Sequence, residues 1–159
     1  MNWFKRKKRI IQSSDQQMLP MKPMNYHPKI ILAWAKAIDG NDDLLLWLKD
    51  HGYEELTYAT YAIFLKEEAR VWLTKNGYPH LMAFINAAEG NASAQKWLLT
   101  HDFEMLYQMA LAIESEKESW DWLSQNVTAD LFLLTQNIKK VKDKIEENHN
   151  DFHTFRKDR

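Results

Sequence analysis

The chain has 159 residues, of which 45% are hydrophobic, and its formal net charge is −1 at pH 7. This composition is apolar enough for one folded domain and excludes wholesale disorder. The absence of cysteine excludes a disulfide framework, a thiolate metal site and a cysteine nucleophile. No apolar run approaches the roughly 18 residues that would suggest a membrane span.

Residues 1–25 are predicted to form a basic tail and a linker. Because Lys5, Arg6, Lys7, Lys8 and Arg9 give the first ten residues a charge of +5, the remainder of the chain carries −6. Pro20 and Pro23 punctuate the polar stretch that follows, which is typical of a linker. The basic segment is either a solvated terminus or a binding site for an anionic surface, and Trp3 and Phe4 beside the cations favour a membrane face.

The next part of the chain repeats at an interval of 25 residues. Tryptophan recurs at this interval, and leucine, alanine and aromatic residues form further columns. The clearest columns are Trp47, Trp72, Trp97 and Trp122; Leu56, Leu81, Leu106 and Leu131; and Tyr53, Tyr78 and Phe103. A fixed period indicates that each unit presents the same packing surface to the next.

Each unit is predicted to contain two short helices. Leu56, Ala59 and Ile63 lie at positions i, i+3 and i+7, which is the apolar stripe of a helix with one buried face. Ala69 and Trp72 begin the corresponding stripe of a second helix. Since such a pair is too small to bury both apolar faces alone, we predict an all-α superhelix of about four or five helical hairpins, an α-solenoid. The tryptophan column is expected to stack unit on unit in its core.

Polar residues predict where these helices begin and end. Asn41 and Asn91 each follow a glycine and can cap the next helix. Ser115 with Glu118 fits a capping box. At Leu65–Lys66 the sequence contains no cap or breaker, so two helices could run together there.

Two segments resemble the helix–turn–helix part of ankyrin repeats. They are AAEGNASAQKWLL at residues 87–99, and AIDGN at residues 37–41 with the following Trp47, Leu48 and Gly52. The resemblance covers roughly residues 28–126. The period departs from the ankyrin value of about 33 residues, and the Thr-Pro-Leu-His opening is absent. The resemblance therefore implies ankyrin-like helical stacking without β-hairpin fingers, and it favours binding of other proteins.

After Trp122 the repeat gives way to one long predicted helix. Its apolar residues alternate steps of three and four, as in a heptad stripe: Val127, Leu131, Leu134, Ile138, Val141 and Ile145. One interpretation is a helix that caps the end of the stack, and the other is a short coiled-coil dimer. The chain would accordingly be a monomer or a weak dimer through this helix. The repeat domain spans residues 26–148, and a polar tail spans residues 149–159.

Residue patterns typical of catalysis are scarce. The adjacent acids, such as Asp42–Asp43 and Glu54–Glu55, point about 100° apart on a helix and do not make a paired-carboxylate site. His51, Asn76, His101 and Asn126 share one helix-end column, so a turn or capping role explains all four positions. His149 and His153 could bind a metal only if the tail is helical. We predict a non-enzymatic protein with no metal site and no cofactor.

One surface stripe is predicted to bind a partner. If the first helices bury the columns above, their opposite faces join into a stripe of Tyr58, Tyr61, Met82, Asn86, Tyr107, Gln108 and Leu111. The alternative is that Tyr61 or Leu111 packs between units, or that the C-terminal helix covers this face. The prediction is a cytoplasmic protein–protein interaction module or scaffold. The alternative function is nucleic-acid or anionic-membrane binding through the basic segment, at the inner membrane face in the second case.

Overall fold

The protein is all-helical in the residues that its structure describes. The computed structural model describes the backbone of residues 25–157 and the side chains of residues 25–150. This range contains nine α-helices and no strand: α1 (Pro28–Ile38), α2 (Asp42–Asp50), α3 (Glu54–Ile63), α4 (Glu67–Lys75), α5 (Pro79–Ala88), α6 (Ala92–Thr100), α7 (Glu104–Ile113), α8 (Lys117–Asn126) and α9 (Ala129–Lys157). The all-α prediction is confirmed. None of these helices is long and apolar enough to cross a membrane.

The backbone repeats every 25 residues. Helices α3, α5, α7 and α9 begin at residues 54, 79, 104 and 129, and α2, α4, α6 and α8 begin at residues 42, 67, 92 and 117. The residues with positive φ follow the same spacing: Gly40, Leu65, Gly90 and Ser115 in one column, and Gly52, Gly77 and Asp102 in another. The backbone thus keeps its period where the residue type changes.

The turns that end these helices also repeat. The amide N–H of residues 41, 66, 91 and 116 donates to the carbonyl five residues earlier, at 3.0 to 3.1 Å. Residues 53, 78 and 103 do the same at the other end of the pairs, at 2.8 to 3.0 Å. Such 6→1 bonds close a helix with a left-handed residue just inside the turn. The positive-φ columns are therefore the chain reversals that separate one helix from the next.

Side chains complete the helix ends largely as the sequence predicts. The Oδ1 atoms of Asn41 and Asn91 accept backbone N–H groups at 3.0 and 2.9 Å. All four members of the helix-end column bond to the tryptophan carbonyl four residues earlier at 2.8 Å: His51, Asn76, His101 and Asn126. The two histidines use Nδ1, which must carry the proton because a carbonyl oxygen only accepts. The turn role predicted for this column is confirmed.

Two predictions about helix ends are wrong. Ser115 does not cap α8, because its φ is 79° and Glu116 occupies the N-cap position. The helices do not run together at Leu65–Lys66, since α3 ends at Ile63 and Leu65 reverses the chain with a φ of 66°. Leu65 thus adopts the left-handed conformation of Gly40 and Gly90 in the same column, although it is not a glycine.

The core is built mainly from the first helix of each pair, and each second helix adds one fully buried leucine: Leu48, Leu73, Leu98 and Leu123. One column is fully buried in every unit although its residues differ in size: Trp34, Ala59, Phe84, Met109 and Leu134. The indole Nε1 of Trp34 donates to Thr60 Oγ1 at 2.9 Å, which joins α1 to α3. Large and small side chains thus fit together along the row of first helices.

The tryptophan column lies at the edge of this core, and the prediction that the tryptophans stack on one another inside it is wrong. Three of them stack instead on the aromatic residue that opens the next unit, with ring centroids 6.3, 5.9 and 5.6 Å apart: Trp47 on Tyr53, Trp72 on Tyr78 and Trp97 on Phe103. Trp47 is 39% exposed, and Trp72, Trp97 and Trp122 are half-buried. Trp47 and Trp97 stack on the helix-end histidines that follow them, with ring centroids 4.3 and 4.0 Å apart. Each tryptophan with a described ring partner thus packs within its own unit or onto the next turn.

The first and last described helices pack against each other. Within each pair the two helices are in contact, and successive first helices touch in the order α1, α3, α5, α7 and α9. The most extensive contact of all joins α9 to α1. Asn137 Nδ2 donates to the Ala35 carbonyl at 2.8 Å, and Lys140 Nζ lies 2.8 Å from Asp39 Oδ1. Leu134, which the capping interpretation of α9 requires to be buried, lies within the core.

Candidate functional site

The seven residues of the predicted partner-binding stripe are all half-buried: Tyr58, Tyr61, Met82, Asn86, Tyr107, Gln108 and Leu111. Several of them contact the second helices. Tyr58 stacks on Trp72 with ring centroids 4.1 Å apart, Asn86 accepts from Arg70 at 3.0 Å, and Gln108 accepts from Ser119 at 2.9 Å. Part of this surface therefore holds helix pairs together. Its role as a binding face stays a prediction. The basic segment predicted to bind an anionic surface, Lys5–Arg9, lies outside the described residues.

The loop between α3 and α4 exposes two adjacent large apolar side chains. Phe64 is 45% exposed and Leu65 is 54% exposed. In the other units, the same two positions hold an acid followed by glycine or serine: Asp39–Gly40, Glu89–Gly90 and Glu114–Ser115. Among the described units, this one alone has apolar residues at these two positions. Exposed apolar side chains at such a place favour a contact that the chain itself does not supply.

Leu65 also has an unfavourable backbone conformation. Its φ is 66°, in the left-handed region that glycine adopts freely and that costs other L-residues about 1–2 kcal/mol. Asp102 and Ser115 share this feature, but they are small or polar residues, which tolerate it better. A strained leucine that is more than half exposed gains little from burial to offset this cost. Backbone strain of this kind is often found at functional sites.

Phe64 forms one wall of a groove between α1, α3 and α9. This groove, here called the α9 groove, has a volume of about 530 Å³. Its apolar lining comes from the ends of α1 and α3 and from one face of α9: Ile38, Gly40, Phe64, Val141 and Ile145. Polar residues at its rim are Asp39, Lys140, Lys144 and Asn148. The volume falls in the range of about 300–1,000 Å³ that is typical of ligand sites.

Lysines of α9 offset the negative ends of the shorter helices. Lys142 Nζ bonds to the Ala88 carbonyl at the end of α5 and lies 3.3 Å from Glu114 Oε1. Lys140 is paired with Asp39 just beyond α1. Cations at helix C-termini stabilise the exposed carbonyls there. Lys144 differs, because it forms no ion pair with any other described residue.

Beyond the groove, the backbone of α9 continues as a helix. Residues 146–150 are exposed on every side, and the helix reaches Lys157. From Ile145 to Lys157 this extension covers about 18 Å at 1.5 Å per residue. The helix thus runs through most of the segment predicted as a polar tail.

Titratable groups with shifted pKa values lie elsewhere, near the beginning of the first helices. Burial lowers the pKa of His80 from its usual value to about 4. Burial, followed by the charge of Glu55, raises the pKa of Tyr26 and of Tyr78. Tyr26 Oη donates to Glu55 Oε1 at 2.8 Å. These shifts come mainly from burial, and across residues 25–150 no group of three acids or histidines is placed to hold a metal ion.

Comparisons with protein-family models, with curated proteins and with solved structures give no significant match. The ankyrin-like resemblance therefore remains a prediction from the two quoted segments.

Proposed function

We propose that this protein is a non-catalytic interaction module that binds another protein through the α9 groove. The supporting observation is the pair Phe64–Leu65, which is exposed beside the groove and strained at Leu65. A folding argument alone favours an acid and glycine at these two positions, as other units have. A partner that covers the two side chains would offset both the exposure and the strain.

We further infer that the helix pairs form a short α-solenoid that closes on itself. Support comes from the repeated helix boundaries and from the extensive contact of α1 with α9. Each end of the row then covers the apolar face of the other, so neither end needs a separate cap. The rigid ring would present the loop of Phe64 and the α9 groove in a fixed geometry. Ankyrin-like stacking remains part of this proposal.

Site-specific photo-cross-linking tests the proposed function. A photoreactive amino acid replaces Leu65 in the intact chain, and the matched control carries it at Leu99, another exposed leucine, which is 46% exposed on α6. The Leu65 position should yield discrete adducts with a partner protein in native extract. The Leu99 position should yield none of them. Identical adducts at both positions, or none at Leu65, would refute the α9 groove as the binding site.

A further inference from the structure

We propose that the α9 groove receives an amphipathic helix of another protein, with a carboxylate beside its apolar stripe that pairs with Lys144. This inference rests on the proposed function and adds the chemistry of the partner. It follows from three properties of the groove, which are the geometry of its long wall, its apolar lining and the charge at its rim.

The long wall of the groove favours a helix as the bound element. Val141, Ile145 and Asn148 line it at steps of four and three along α9, which is the seam spacing by which one helix packs along another. A peptide that binds by β-strand addition would need a sheet edge to pair with. The described part of the chain contains no strand.

The lining requires apolar side chains on the face that enters the groove. Ile38, Phe64 and Ile145 provide the walls, and Leu65 stands exposed next to them. A partner that covers Phe64 and Leu65 would remove two exposed apolar side chains from water, which favours binding. A helix with apolar residues at i, i+3, i+4 and i+7 presents such a face.

The charge at the rim favours one carboxylate on the partner. Lys140 and Lys144 lie one turn apart on α9, with Asp39 opposite. Asp39 and the nearby carbonyls at the end of α1 offset Lys140. Lys144 lies a turn further from that helix end and forms no ion pair with another described residue. Lys144 is therefore the lysine of the groove that is free of an ion pair to a described residue, and a partner carboxylate can pair with it.

Two synthetic peptides test this inference. They share one apolar helical stripe and differ only in the flanking residues, which are glutamate in one peptide and lysine in the other. Binding to the full chain is measured by fluorescence anisotropy at low and physiological salt. The chain should bind the glutamate peptide more tightly, with a preference that shrinks as salt rises. Lys144→Glu should weaken the glutamate peptide on the order of tenfold and reverse the preference.

Matched variants separate the possible outcomes. Lys96→Glu changes another exposed lysine, on α6, and should leave both affinities unchanged. Phe64→Ala should weaken both peptides alike. If Lys144→Glu leaves the preference intact, the charge assignment is overturned, while cross-linking at Leu65 still tests the proposed function. If neither peptide binds, the helical class of partner is overturned. Circular dichroism of each variant confirms that it is folded.

Discussion

Leu65→Gly should stabilise the fold and weaken partner binding at the same time. Relief of the left-handed conformation returns about 1–2 kcal/mol, and the greater backbone freedom of glycine in the unfolded chain offsets about 0.5–1 kcal/mol of this. Leu65→Ala removes nearly the same side chain but keeps the strain, since its φ stays near 66°. The glycine variant should therefore be more stable than the alanine variant by roughly 1 kcal/mol.

Urea unfolding of the two variants measures this difference. With a slope of about 1–3 kcal/mol per molar urea, 1 kcal/mol moves the midpoint by roughly 0.3–1 M. Leu99 is the control because it is exposed inside a regular helix. There the sign should reverse, with glycine less stable than alanine by about 1 kcal/mol.

The reasoning fails if Leu65→Gly is no more stable than Leu65→Ala, because Leu65 would then be under no backbone strain. A Leu65→Gly variant could be stabilised and still bind its partner with unchanged affinity. The strain would stand, and the proposed role of Leu65 in binding would not.

Three further perturbations have defined outcomes. Burial holds the folded-state pKa of His80 at about 4, below its usual 6.5, so its full contribution to the unfolding free energy is present above pH 6.5 and is lost as the pH drops toward 4. The unfolding free energy of the wild type, from urea titrations at each pH, should therefore decline relative to that of His80→Phe by up to about 3 kcal/mol, and a constant gap would contradict this. Trp34→Phe should cost about 2–4 kcal/mol, since it removes a buried hydrogen bond and leaves a cavity, whereas Trp47→Phe at a 39% exposed site should cost less than about 1 kcal/mol; equal losses in thermal unfolding would refute the assignment of the core. Asn137→Ala should cost about 1 kcal/mol in urea unfolding through its lost bond to the Ala35 carbonyl, and no loss would argue against the packing of α9 on α1.

Local features of the fold could be predicted from the sequence because they depend on residues close together in the chain. The caps at Asn41 and Asn91 and the helix-end bonds of His51 and His101 involve partners three or four residues away. The repeat then fixes the remaining boundaries. Applied to the turns, the same period puts one at Leu65, where the sequence predicts that two helices could run together because it contains no breaker.

Most residues of the leucine columns and the stripe of Leu56, Ala59 and Ile63 are buried as predicted, but the place of the tryptophan column was harder to predict. The repeat identifies equivalent positions, and tryptophan at such positions suggests a core. In the structure one of the fully buried columns instead varies from Ala59 to Trp34, because neighbouring side chains there must compensate one another in volume. The repeated tryptophans lie near the helix ends, where their backbone carbonyls accept hydrogen bonds from the helix-end column.

The candidate site was missed because it depends on a contact between distant parts of the chain. The α9 groove exists only where α9 meets α1, and Lys140 and Asp39 are 101 residues apart. One signal was nevertheless present. Other units have an acid followed by glycine or serine at the positions of Phe64 and Leu65. This difference in sequence distinguishes the loop between α3 and α4 from the equivalent loops.

Zero-length carbodiimide cross-linking tests the packing of α1 on α9 most directly. It couples an amine to a carboxylate only in direct contact, and Lys140 Nζ lies 2.8 Å from Asp39 Oδ1. Mass spectrometry of the monomeric protein should identify an Asp39–Lys140 peptide pair that disappears in Asp39→Asn. A monomer that forms other lysine–carboxylate links but not this one would show that the row of helices stays open, and the α9 groove would not exist.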